Sequence, residues 1–293
     1  MSWMKFKWLY FLISALVIIP GIYSLLKFGL KPSIDFTGGS ILELRFQNSQ
    51  ISPSLLAEVF SSQKIEVGSI QLSGDKTYLI RSQILAKEQV DKVEEELNQK
   101  YNEKPQEIRF ETVGPTLGKE LLKKTIIAII LASGFILLYV GRQFKNFKFG
   151  ICAILAMFHD TLVLLGSFSL LGHFLGVEVD TLFVTAMLTI LSFSVHDTVV
   201  VYDRIRESQK LFPNTSLENL VNKAITETIS RSLNNSLTII FMLIALWLLG
   251  GVTIKWFTVA LLIGTISGTY SSTFTAAPLL VVWSKLEEGR KRK

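Results

Sequence analysis

Two histidine–aspartate dipeptides, His159-Asp160 and His196-Asp197, interrupt long apolar runs that hold no other charge, and Arg231 stands at the edge of a later run. These residue types in such surroundings suit one chemistry, the uptake and release of protons. Burial disfavours an ionised carboxyl and a guanidinium within reach favours it, so an acid moved between two such settings changes its protonation. Arginine fits the fixed partner, because it stays charged and offers a planar fork of donors. Asp197 and Arg231 fall near the same end of neighbouring runs and are expected to meet. The alternative is a static buried pair that fixes helix register. His196 is either a relay group, since histidine ordinarily titrates near neutrality, or a packing group. His159-Asp160 lies near the middle of its run, where nothing snorkels to water. There a proton-carrying role competes with a structural hydrogen bond donated by a protonated Asp160.

Around Asp197, the side chains Thr181, Thr185, Thr189, Ser192 and His196 recur every three or four residues, a stripe that either lines a hydrated path or makes interhelical hydrogen bonds. Gly264 and Gly268 form a GxxxG pair beside Ser267 and Ser271, which predicts close helix packing. Other chemistries are poorly served. The single cysteine, Cys152, rules out an intrachain disulfide, and three histidines among no clustered acids offer no metal site. Gly38 and Gly39 predict a turn with positive φ, and without a strand, helix and Lys-Ser/Thr context they make no phosphate loop. No enzymatic residue, metal or cofactor is expected beyond the coupled proton.

Such groups need helices in lipid to position them. Of 293 residues 49% are hydrophobic and 18% charged, with a mean hydropathy of +0.42. Six runs approach or exceed the roughly 20 apolar residues that cross a bilayer: 8–26, 125–141, 149–172, 181–202, 232–254 and 256–284. The net charge of +6 reflects basic loops beside these spans, which orient a membrane protein, and not a nucleic-acid partner. Lys5 and Lys7, then Arg142, Lys145 and Lys148, then Arg204, Arg206, Lys210, Lys223 and Arg231, and the basic tail at 286–293, all fall inside when both termini are cytoplasmic. Residues 203–231 then form a cytoplasmic amphipathic loop. In it, Thr215-Ser216-Leu217-Glu218 has the form of a capping box that opens a helix leading into the fifth span. Residues 121–285 hold the last five spans, and 27–120 form an exported α+β domain. Its predicted order is strand 41–46, a helix opened by Ser52-Pro53, a hairpin of 65–72 and 77–81 across Ser73-Gly74-Asp75-Lys76, helix 87–101 and strand 107–113. That βαββαβ order predicts a ferredoxin-like unit.

Four stretches carry a family resemblance: Asp35-Phe36-Thr37-Gly38-Gly39-Ser40, Val113-Gly114-Pro115-Thr116-Leu117-Gly118, residues 196–207 from His196-Asp197-Thr198 to Arg206-Glu207, and Gly268-Thr269-Tyr270-Ser271-Ser272. Together they resemble SecF, the smaller half of SecDF, and the layout of one helix, an exported domain and five helices is similar to half of an RND-type transporter. The resemblance implies a polytopic α-helical protein of the bacterial inner membrane, with six helices in an RND-like arrangement and a ferredoxin-like periplasmic domain. It also implies partnership with SecD, association with the SecY channel, and proton-coupled pulling of an unfolded preprotein in late translocation. The aspartate and arginine that match Asp197 and Arg231 are implicated there in proton movement. His196 departs from the asparagine or small polar residue usual before that aspartate, and Ser192 from a common glycine. Competing readings are an RND-type exporter of small amphiphiles, a structural subunit that stabilises SecD, and an intramembrane aspartyl protease using Asp160 and Asp197. Against the last, the Gly-x-Gly-Asp pattern is absent.

Overall fold

The structure, a computed structural model, describes residues 2–47, 51–74, 76–144, 146–251 and 253–291. Asp75 of the predicted hairpin turn, Lys145 of a basic loop, Val252 of the predicted fifth span, and Arg292 and Lys293 of the basic tail lie outside the described residues. The chain divides into two compact units, residues 32–126 and residues 1–31 with 127–293.

The smaller unit is an antiparallel sheet covered on one face by two helices. Strands β1 (Gly39–Arg45), β2 (Val67–Gly74), β3 (Thr77–Ser82) and β4 (Gln106–Val113) lie in the order β2-β3-β1-β4. Leu42 and Leu44 alternate along β1 and meet Tyr78 and Ile80 of β3, as period-2 side-chain alternation requires. On that face sit Leu56, Val59 and Phe60 of helix α3 (Pro53–Ser62) and Val90, Val93 and Leu97 of helix α4 (Lys87–Tyr101). Helix α3 starts where its sequence dictates: Ser52 Oγ accepts from Leu55 N at 3.4 Å, and Pro53 occupies the first turn, where no N–H is needed.

Two of the resemblance motifs meet inside this unit. Ser33 caps the single helical turn α2 (Ile34–Thr37), which ends at Gly38 with φ +78°, followed by Gly39 with φ +132°. A Cβ on Gly38 would lie 2.9 Å from Pro115 Cα, and one on Gly118 would lie 3.0 Å from Gly38 N. Only glycine permits both the backbone angles and this approach. Asp35, Phe36, Thr37, Gly38 and Gly39 are thereby seated against Gly114, Pro115 and Gly118 at the start of helix α5 (Pro115–Gln143).

Five helical stretches among the described residues are long and apolar enough to cross a membrane: Trp3–Phe28, Pro115–Gln143, whose first twelve residues belong to the smaller unit, and Phe147–Leu175, Thr181–Leu211 and Leu217–Leu249 of the larger one. They comprise helix α1 (Lys7–Phe28) with a preceding 3-10 turn, α5, and helices α6 (Phe147–Leu175), α7 (Thr181–Leu211) and α8 (Leu217–Leu249). The run at 256–284 does not form one α-helix. It divides into α9 (Lys255–Ser271), a π-helical turn at Ser272–Ala276, and α10 (Ala277–Lys291). At 17 residues α9 rises about 26 Å, short of the roughly 30 Å hydrocarbon core. A π turn shifts the backbone hydrogen bonding by one residue, and Tyr202 Oη donates to Ala276 O at its end, 2.8 Å away. Helix α8 is continuous from the amphipathic segment into the fifth span. Its N-cap is Ser216 and not Thr215, and no side-chain capping bond forms there. Close backbone approach joins α1 to α6, where a Cβ on Gly166 would fall within 3.0 Å of Gly21 Cα, and Ser24 Oγ meets Ser169 Oγ at 2.7 Å.

Candidate functional site

Asp160 and Asp197 are buried on adjacent helices, α6 and α7, at 0% and 6% exposure, and each is held by hydroxyl groups from other helices. Asp160 accepts from Ser194 Oγ of α7, and from Ser267 Oγ and Ser271 Oγ of α9, each at 2.6 Å. His159 Nδ1 lies 3.0 Å from Asp160 Oδ1, and its Nε2 lies 3.0 Å from Ser14 Oγ of α1. Ser14 in turn meets Thr275 Oγ1 of the π turn at 3.4 Å. One imidazole therefore joins a carboxyl to a hydroxyl on a third helix.

Asp197 is held more sparsely. Ser232 Oγ of α8 reaches both carboxyl oxygens, at 2.9 and 2.8 Å, and Ser272 Oγ of the π turn donates to Oδ2. Ser271 and Ser272 are thus consecutive residues that serve the two acids separately, at the point where α9 passes into the π turn. The helix that carries both bonds is pressed against α7 by glycine. Gly264 lies against Ile190, and Gly268 against Phe193 and the Ser194 backbone.

Arg231 is not where its nearness in sequence predicts. It is exposed, and among the described residues no hydrogen bond or ion pair joins it to Asp197. The reason is helical phase: Ser232, one residue on, faces the acid, and one step along an α-helix turns a side chain by about 100°. His196 is likewise exposed and unbonded to its neighbour Asp197. The threonine stripe also turns away from the acids. Thr185 and Thr189 are exposed, and their hydroxyls donate to Thr181 O and Thr185 O of their own helix at 3.0 and 2.8 Å.

Bonds at Asp197–Ser232 and Arg204–Glu227 show that α7 and α8 run antiparallel. In such a pair the residues that precede two facing positions fall on the same side. His196 and Arg231 therefore share one flank of the α7–α8 pair, with α9 on the other. Beyond the buried region, Arg204 bonds both Glu207 and Glu227, and its guanidinium holds the Glu227 carboxyl below the usual carboxylate range. That contact fastens α7 to α8 two turns past Asp197.

The serines around both acids escaped the reading of the sequence, which took Ser267 and Ser271 as packing residues only. The available signal was spacing: Ser232 with Ser236, and Ser267 with Ser271, place hydroxyls four apart on one helix face. Among the described residues no group of His, Cys, Asp and Glu could hold a metal ion.

Comparison with known proteins shows the family of the chain. Residues 92–286 match the family model "Protein export membrane protein SecD/SecF, C-terminal", and residues 23–50 match the "SecD/SecF GG Motif". The chain is similar to the protein translocase subunit SecF of Anaerolinea thermophila, at 39% identity over 96% of this chain and 93% of that one. It also resembles the protein translocase subunit SecDF of Bacillus subtilis, at 33% identity over 95% of this chain and 37% of that one. The crystal structure of SecDF from Thermus thermophilus, a translocon-associated membrane protein, superposes with a TM-score of 0.86 at 32% identity, over 97% of this chain and 39% of that one. This chain thus spans about two fifths of the fused SecDF proteins and nearly all of a separate SecF. With its several membrane-crossing helices, small sheet and full-length similarity, the chain belongs to the SecD/SecF family of protein export membrane proteins.

Proposed function

We propose that this chain works as the SecF-like subunit of the bacterial Sec export machinery, in which proton uptake and release at Asp197 is converted into movement that draws a preprotein out of the SecY channel. The observation that carries this reading is the sparse holding of Asp197, by one hydroxyl on α8 and one on the π turn. An ionised carboxyl only accepts hydrogen bonds, whereas a protonated one also donates. Protonation therefore alters at least one of the two serine bonds, and with it the contact of α7 with α8 or with the π turn. Ser271 passes that shift to Asp160, whose cage includes His159 and, through Ser14, helix α1. Asp160 and His159 are then a second, more tightly held part of the relay.

The partner is SecD. Thr189, Ser192 and His196 of α7 and Arg231, Asn234 and Asn235 of α8 are all exposed on one flank of the helix pair. In hydrocarbon such a face is costly, so a second polytopic subunit covers it. Arg231 and His196 then act on groups of that partner, and the separate length of SecF relative to fused SecDF agrees with this. On this reading the segment from α9 to α10 makes a sixth crossing, the βαββαβ order supports a ferredoxin-like domain, and the basic loops favour cytoplasmic termini with residues 27–120 in the periplasm.

The deciding experiment is Asp197→Asn, which keeps the shape, an acceptor oxygen and a donor group while removing the titratable proton. The variant is expected to insert and to copurify with its partner, yet to lose the gradient-dependent completion of stalled precursors in energised vesicles. Export at the parental rate under an imposed proton gradient would end the relay reading.

A further inference from the structure

We infer that the groove between α8 and α9 is a binding site for a single acyl chain of a membrane phospholipid, seated directly behind the turn of α8 that holds Asp197. The groove has a volume of about 250 Å³, and its α8 wall runs from Ile229 to Ile240. The eleven steps between them rise about 16 Å, so the space is a narrow slot along the helix axis, smaller than the roughly 300–1,000 Å³ that houses a drug-sized ligand.

Its chemistry admits hydrocarbon and little else. No charged side chain lines it, and of its five hydroxyl-bearing side chains four are already engaged in hydrogen bonds. Ser232 is bonded to Asp197, Thr269 to Ser236, and Tyr270 to Tyr10 O. The rim residues Leu233 and Ile266 are exposed, and the same apolar face continues along α8 through Leu237 and Ile244, which are also exposed. In a helix that crosses a bilayer, a surface of that composition faces acyl chains. The groove also opens on the flank of α8 opposite Arg231, away from the polar face that we assign to the partner.

The site matters because Ser232 is part of both structures. Its hydroxyl bonds both oxygens of Asp197 while its helix turn forms the groove wall, so a chain that fills the slot holds α8 against α9 at the acid. Binding itself does not depend on the proton reading and can be tested apart from it.

The test is photolabelling of the full chain in nanodiscs, with and without its partner, using a phosphatidylglycerol that carries a diazirine on one acyl chain. Labelled peptides are expected at 229–240 and 266–274 at several times the density found at Leu16 and Ile19, which are at least as exposed on α1. Ile240→Trp, which fills the slot, should cut the groove label several-fold, and Leu16→Trp should leave it unchanged. If Ile240→Trp is not recovered folded, Leu237→Phe serves instead. Label spread evenly over exposed faces, label unaffected by filling the slot, or loss of groove label when the partner is present would each overturn the site.

Discussion

Gly264→Ala tests the packing that brings the π turn to the acids. A methyl group at Gly264 would fall within 3.0 Å of three carbons of Ile190, its Cγ1, Cγ2 and Cδ1, an approach that real side chains do not make. Ile190 cannot step aside. It is 3% exposed, and as a β-branched residue in a helix it has one strongly preferred rotamer. Helices α7 and α9 must therefore separate, and overpacking of this kind costs about 1–3 kcal/mol. Gly268, one turn on, provides the internal control. A methyl there meets the Phe193 ring at 3.3 Å and the Ser194 backbone at 3.5 Å, so a small yield of the ring accommodates it. Ile190→Ala alone should cost about 2–5 kcal/mol by leaving a cavity. Combined with Gly264→Ala, the new methyl enters that cavity, and the double variant should be no less stable than Ile190→Ala, with a coupling of about 0.5–3 kcal/mol. The assay is reversible unfolding of the full chain in mixed micelles, followed by circular dichroism and tryptophan fluorescence. Strict additivity of the two substitutions, or a Gly264→Ala cost equal to that of Gly268→Ala, would refute the steric argument.

Two further outcomes follow from single contacts. Tyr202→Phe removes the donor to Ala276 O and should lower stability by about 0.6 and at most about 1.7 kcal/mol, typical of interhelical hydrogen bonds in lipid. Unchanged unfolding would mean that this carbonyl finds another partner. In the smaller unit, burial pushes the Glu94 carboxyl above its usual range, and its Oε1 has no hydrogen-bond partner among the described residues. A folded-state value above the unfolded one, near 4.3, means that stability is greatest below that pH and declines as pH rises through the folded value. Glu94→Gln should therefore stabilise the smaller unit at neutral pH and flatten this decline, measured as amide-exchange protection in α4 against pH. A steeper decline would show that the ionised carboxyl is instead favoured in the fold.

Much of the architecture was legible because its causes are local. Lipid forces an apolar run of sufficient length into a helix, so α1, α6 and α7 could be placed from composition alone. Ser52-Pro53 announced α3, and alternation in Leu42 and Leu44 announced β1, since a cap and a pleat each depend on a few adjacent residues. Gly38 and Gly39 gave away a turn through the one property that glycine has and other residues lack.

What the tertiary structure alone decided was rotational phase and partner choice. The residue types placed Arg231 at the level of Asp197, but nothing in a single helix says which of two consecutive residues faces its neighbour, and packing chose Ser232. No residue type marks the π turn at Ser272–Ala276. It persists where a hydroxyl 74 positions away, on Tyr202, meets its last carbonyl. The cage of Asp160 draws hydroxyls from α7 and α9 and, through His159, from α1, and serine carries no signal of which helix it will meet. Sequence thus determined that acids lie buried among helices, through the solvent those helices require. The environment of each acid was settled only when the helices packed, because hydrogen bonds across a bundle depend on the azimuth of every helix at once.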